Sequence, residues 1–257
     1  MSAQPHTASA HLARARLHEN ADTTEQAQAL AHTVASQLRQ CLAERGHAVL
    51  AVSGGKSPIP FFHALRDMAL DWSKVTLMLA DERCVPSNHP DSNTAMVQAE
   101  LRQGAAAAAQ WLGFFDDIAP LSPGQDDAAL SHLAHTASLR VATAISQVDV
   151  LVLGMGEDAH TASIFPGAVG TPQALSSTDW VAGVWPQTAP IAAPHARLTL
   201  TQARLSDARH IHLSIAGARK RAVLDAALAQ PGPHAPIASV LQHADQRGHG
   251  SIDIWQA

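Results

Sequence analysis

The chain has 257 residues, 46% of them hydrophobic and 15% charged, with a formal charge of −5 when histidine is neutral. That length allows one large domain or two small ones, with a sizeable core. The composition excludes wholesale disorder, and the acidic balance disfavours nonspecific nucleic-acid binding while leaving room for a local basic pocket.

The first twenty residues, MSAQPHTASAHLARARLHEN, hold no apolar core of the kind a secretory signal needs. They are expected to be an edge strand or a flexible start. Thr23 or Thr24 can cap a helix with acidic Glu25 in its first turn. Apolar residues then recur with a helical period at Ala27, Leu30, Ala31, Val34, Leu38, Cys41 and Leu42, and Gly46 is a stop. A short apolar run, HAVLAV (47–52), leads into Ser53-Gly54-Gly55. A helix is predicted over 57–70 with Pro58 in its first turn. KVTLMLA (74–80) is a second buried strand, and Asp91 or Ser92 can cap a helix over 93–102. GAAAAAQ (104–110) is a helix extension or surface connection. Residues 125–146 carry another helical pattern, followed by a third buried strand in VDVLVLG (148–154). WVAGVW (180–185), ARLTL (196–200) and RHIHLSIAG (209–217) are further strands. A helix over 218–229 is broken by Pro231-Gly232-Pro233.

Continuous apolar strands alternating with amphipathic helices predict a single α/β domain, 1–257, built on a mainly parallel sheet covered by helices on both faces. No apolar stretch approaches the roughly 18 residues of a membrane span. The two cysteines, Cys41 and Cys84, form no Cys-x-x-Cys pair and suit a reducing compartment. A soluble cytoplasmic protein is expected. The sixteen histidines are scattered, with no His-Glu-x-x-His arrangement and no recognisable metal-ligand set, so most are expected to be surface or capping groups.

Ligands of open α/β sheets bind at the carboxyl ends of strands. Three strands here end in loops suited to chemistry. Ser53, Gly54 and Gly55 expose backbone N–H groups just before a helix, an anion cradle to which Lys56 can add charge. The segment is neither a Walker nor a Rossmann fingerprint. ADERCVPSNHPDSN (80–93) places Asp81, Glu82 and Arg83 directly after an apolar strand, where charges are costly unless paired or used. An Asp81–Arg83 surface ion pair is the plain alternative. GMGEDAHTASIFPG (154–167) carries Glu157, Asp158 and His160. Carboxylates can orient an imidazole, whose free pKa of about 6.5 suits a general base. Helix capping by Asp158 is the plain alternative there. Downstream, Arg197 and Lys220 can complete a basic pocket.

In combination, AVSGGKSP (51–58), LADERCVPSNHPDSN (79–93), LGMGEDAHTASIFPG (153–167), RLTLT (197–201) and GARK (217–220) resemble the 6-phosphogluconolactonase branch of the glucosamine-6-phosphate isomerase family. The resemblance spans about residues 20–255 in the family's order. It implies a Rossmann-like sheet-and-helix sandwich of the sugar-phosphate isomerase type and hydrolysis of a phosphorylated sugar lactone without a cofactor. It also implies that His160 handles the proton, oriented by Asp158 or Glu157. Arg83 or the glycine-loop N–H groups would stabilise charge on the lactone carbonyl. Ser53, Gly54, Gly55, Lys56, Asp81, Arg197 and Lys220 would bind substrate, with Arg197, Lys220 and the glycine loop on the phosphate. The implied partner is a small molecule, with no nucleic acid and no membrane, and the chain would be a monomer or a weak homo-oligomer. Two positions depart from the family pattern. Ala159 stands where glycine is usual, and Lys56-Ser57 where Ser-Thr is frequent. If position 159 needs a positive φ, alanine costs about 1 kcal/mol there. The rivals are an isomerase or deaminase of an open-chain amino sugar phosphate, and a non-catalytic sugar-phosphate sensor. About twenty residues before the first helix are too few for a sensor's DNA-binding module.

Overall fold

The computed structural model describes residues 11–119, 121–186 and 195–257. In chain order the main elements are β1 (Ala15–Glu19), α1 (Thr23–Arg45), β2 (Ala48–Val52), α2 (Ile59–Arg66), β3 (Val75–Leu79), β4 (Asp81–Arg83), α3 (Asn93–Glu100), β5 (Gln110–Leu112), α4 (Asp127–Ala144) and β6 (Val150–Leu153). They continue with α5 (Thr171–Ser176), β7 (Val181–Val184), β8 (Arg197–Leu200), α6 (Gln202–Leu205), β9 (His210–Ile215), α7 (Ala218–Ala229), α8 (Pro236–Arg247) and β10 (Ser251–Gln256).

Seven strands form one sheet in the order β1-β10-β9-β6-β2-β3-β5, and every pairing in it is parallel. β2 and β6 are buried at every position, which is why their sequences run apolar without alternation. Helix α1 lays Leu30, Val34 and Leu38 into the same core. It is capped by Asp22, one residue before the expected threonines. The Asp22 side chain accepts from the N–H groups of Thr24 (2.8 Å) and Glu25 (2.9 Å). At the far end Gly46 takes the left-handed conformation (φ 76°) and closes the helix on the carbonyl of Leu42.

β7 and β8, expected as further strands with no sheet assigned, join β4 in a separate antiparallel sheet of order β4-β8-β7. Ala80 is the joint between the two sheets. Its N–H donates to Val52 of the parallel sheet (2.9 Å) and its carbonyl accepts from Leu200 of β8 (2.8 Å). One residue thus ends one ladder and begins another, a transition that apolar runs cannot reveal. α2 is shorter than the predicted 57–70, and GAAAAAQ (104–110) divides into a 3₁₀ turn (Gly104–Ala108) and the edge strand β5.

α8 and β10 were not anticipated. β10 lies inside the sheet between β1 and β9, and its Asp253 is fully buried. Arg16 and His18 of the neighbouring strand bond that carboxylate at 2.8–2.9 Å. Beside it, His212 is also fully buried. Its Nε2 faces the Gln37 amide oxygen (2.7 Å), and its Nδ1 accepts from the Trp255 indole N–H (3.0 Å). This pattern fits only the neutral ring, and burial pushes the imidazole down to about 3. The unfolded chain therefore takes up a proton near pH 6.5 that the folded chain refuses. The stabilisation is complete above that pH and is lost as pH falls toward the folded value. We expect the unfolding free energy from denaturant titrations to fall below pH 6.5 by up to about 1.4 kcal/mol per pH unit from this group. His212→Gln should flatten that slope; an unchanged slope would assign it elsewhere.

Candidate active site

β6, β2 and β3 are neighbours in the sheet, so the three loops singled out in the sequence leave it side by side. They surround a cavity of about 550 Å³ lined by Ser53, Gly54, Lys56, Asp81, Arg83, His160, Arg197 and Lys220 among others. Glycine is demanded at two positions, once by a neighbouring loop and once by the fold of the His160 turn on itself. A Cβ on Gly54 would stand 1.9 Å from the Asn93 side chain, and one on Gly156 would stand 2.2 Å from the His160 ring.

His160 is set by Asp158. Its Nδ1 lies 2.5 Å from Asp158 Oδ1, and its backbone N–H donates to the same oxygen at 3.2 Å. The Phe165 ring packs 4.5 Å from the imidazole. Nε2 is left as the ring nitrogen available to the cavity. Burial would raise the Asp158 carboxyl, but hydrogen bonding and charge from His160 outweigh it and hold the group below the usual range. Glu157, the other candidate to orient His160, instead pairs with Arg219 at 2.8 Å and is absent from the cavity lining. Gly55 also lies outside the lining and serves the turn, with φ 93°.

The charged cluster after β3 divides by function. Glu82 faces inward as a cap for α3, accepting from the N–H groups of Asn93 (2.8 Å) and Thr94 (2.6 Å) and from the Ser92 hydroxyl (3.2 Å). Asp81 faces the cavity and accepts from the Ser163 hydroxyl at 2.6 Å, so no Asp81–Arg83 ion pair forms. Arg83 donates to the main-chain oxygen of Asp91 and sits directly across β4–β8 from Arg197. Arg197 is 4% exposed, and its Nε and Nη1 have no hydrogen-bond partner among the described residues. Burial first, then repulsion from Arg83, lower its guanidinium to about 10. Like charges opposite one another on paired strands are destabilising, and a buried unpaired cation more so. The charges of Asp81 and Glu82 offset part of these costs.

Lys220 reaches the cavity from the first turn of α7 and Lys56 from its exposed rim. Arg197 and Lys220 do not share a sheet, yet they converge on one space. Asn93, Ser163, Phe165 and Ser214 also line it, and none was singled out as a site residue from the sequence. Asn93 and Ser163 stand inside motifs quoted there, but only the folded chain shows which way they point.

The family model for glucosamine-6-phosphate isomerases/6-phosphogluconolactonase matches residues 21–249. The chain belongs to this family. A 6-phosphogluconolactonase of Neisseria meningitidis serogroup A is 43% identical over 234 residues, 90% of this chain and 96% of that protein. The Pseudomonas aeruginosa 6-phosphogluconolactonase is 45% identical over 205 residues, covering 80% and 82%. The crystal structure of a 6-phosphogluconolactonase from Shewanella baltica superposes with a TM-score of 0.82 at 32% identity, over 96% of this chain and 99% of that one. A departure from the family pattern gains meaning from the backbone. Ala159 takes φ 63°, a conformation that costs a non-glycine residue on the order of 1 kcal/mol. Its N–H bonds Gly156 and its carbonyl accepts from Ile237, both at 3.1 Å, which hold the strained turn in place. No helix among the described residues is long and apolar enough to cross a membrane.

Proposed function

We propose that this protein hydrolyses 6-phospho-D-glucono-1,5-lactone to 6-phospho-D-gluconate, the second step of the oxidative pentose phosphate pathway. The observation that carries the reading is a single cavity holding both a carboxylate-oriented imidazole and a buried guanidinium whose Nε and Nη1 have no hydrogen-bond partner among the described residues. The curated relatives support the choice of substrate. A volume of about 550 Å³ is in the range of small-ligand sites.

His160 Nε2 takes a proton from water as the water attacks the lactone carbonyl, while Asp158 holds Nδ1–H and steadies the imidazolium. The Ser53 N–H is taken by the Val152 carbonyl at 3.0 Å, so the Gly54 N–H, on the cavity wall, stabilises the negative oxygen of the tetrahedral intermediate. Collapse breaks the bond to the ring oxygen, which His160 reprotonates. Lys220, Lys56 and Arg197 hold the 6-phosphate through charge-assisted bonds, and that remote anchor orients the reacting end. Arg83 joins them, because its register opposite Arg197 favours a shared anion over the carbonyl role considered from sequence. Transfer of an acyl group to water changes no oxidation state, so the mechanism calls for no cofactor. The reading is of a cytoplasmic enzyme, monomeric or weakly self-associating.

A pH-stat assay with fresh lactone, beside ammonia release from glucosamine 6-phosphate, tests the reaction. Acid release from the lactone alone is expected; ammonia release without lactone hydrolysis would make the protein a deaminase. Arg83→Ala tests the anchor. It should raise KM for the phosphorylated lactone and leave unphosphorylated gluconolactone nearly unaffected. Equal losses on both would return Arg83 to the carbonyl.

A further inference from the structure

Beside the cavity, two loops bring together three groups that no step of the proposed reaction uses. His89 and Asp91 stand on the turn before α3, and His195 lies two residues before β8 begins at Arg197. One ring nitrogen from each histidine and a carboxylate oxygen lie within 4.8 Å of one another. His195 Nε2 is 2.9 Å from Asp91 Oδ2, and the two imidazoles meet edge to face at 5.2 Å. The backbone fixes the approach: His89 N–H bonds Pro86 and Ser92 N–H bonds His89, each at 2.9 Å, while Cys84 N–H bonds Ala196 at 2.8 Å. Within the turn the His89 Nδ1 also accepts from the Asp91 N–H at 3.1 Å, so main-chain bonds and these side chains together hold the turn against the entry to β8.

We propose that His89, Asp91 and His195 form a binding site for a divalent transition-metal ion of the zinc type. Two imidazoles and one carboxylate match the borderline-soft ions, whereas magnesium and calcium favour all-oxygen shells. Ligand atoms around zinc stand roughly 2.0–2.2 Å from the metal, so the ring nitrogens and carboxylate need only a small inward movement. All three residues are solvent-accessible, so the ion can enter and keep water in its remaining positions. Arg83 is the nearby opposing charge, but its contact is to the Asp91 main-chain oxygen, which leaves the carboxylate free to bind metal. The ion would tie the loop carrying Arg83's partner to the strand carrying Arg197, and so brace the rim of the anion pocket. From sequence no metal set is expected, because His89 and Asp91 alone are an ordinary surface pair and His195 lies 104 residues beyond Asp91.

The test is titration of chelator-treated full-length protein with Co²⁺, read by visible d–d absorption and calorimetry, with Zn²⁺ as competitor. One equivalent is expected to bind, to be displaced by Zn²⁺ and to raise Tm, with no response to Mg²⁺. His195→Ala and the near-isosteric Asp91→Asn should each weaken Co²⁺ binding at least about tenfold, while His132→Ala on exposed α4 should not. Circular dichroism and lactone hydrolysis report that the variants are folded. Absence of Co²⁺ binding, or binding that survives both substitutions, would overturn the site and leave a plain hydrogen-bonded triad. Hydrolysis as proposed uses no metal, so this outcome is separable from the reaction assay.

Discussion

His160→Ala is expected to lower kcat on the phosphorylated lactone by about 10²–10⁴-fold, the range for losing an acid–base group. The ring is the group placed to move a proton twice in one turnover, once from water and once to the ring oxygen. Its Nδ1 is held by Asp158 at 2.5 Å, so removal of the imidazole takes away both the base and its orientation. KM should change little, because the arginines and lysines that anchor the phosphate remain. Steady-state rates by pH-stat, corrected for spontaneous lactone hydrolysis, give the comparison. A folded variant within about threefold of the parent would remove His160 from the chemistry.

Arg197→Met is expected to weaken binding of 6-phosphogluconate by roughly 1.5–3 kcal/mol, the scale of a charged hydrogen bond, or about 10–150-fold in Kd. Methionine keeps most of the buried stem and deletes the charge. The same change should leave the Tm of the ligand-free protein unchanged or higher, since it removes a buried cation standing opposite Arg83. Gain of stability with loss of product affinity is the signature of a residue held for its ligand rather than for the fold. Calorimetry with product and thermal melts without it provide the two readings. Unchanged product affinity, or an equal loss of activity on unphosphorylated gluconolactone, would show that Arg197 does not hold the phosphate.

The parallel sheet was readable because β2 and β6 are buried at every position with unbroken apolar runs, and β3 is buried at all but Thr76. β10 was not, because its Asp253 interrupts the apolar pattern and is tolerated only by partners on β1, distant in the chain. Likewise, nothing in WVAGVW or ARLTL distinguishes a strand of the parallel sheet from one of the antiparallel sheet. That choice is made at Ala80, where hydrogen bonds pass from one ladder to the other.

The sequence by itself determined the residue types of the site and the loops that carry them: glycines after β2, charges after β3, a histidine with neighbouring acids after β6. Only tertiary structure decided among those residues. Adjacency of β6, β2 and β3 brought the loops to one cavity. The fold turned Glu82 into a helix cap and Glu157 toward Arg219, while Asp158 was left to orient His160. It also set Arg83 against Arg197 and brought His195 to Asp91. The physical reason is that charge and hydrogen bonding act over a few ångströms of space. Spacing along the chain specifies which groups a loop offers, and strand register specifies which of them meet.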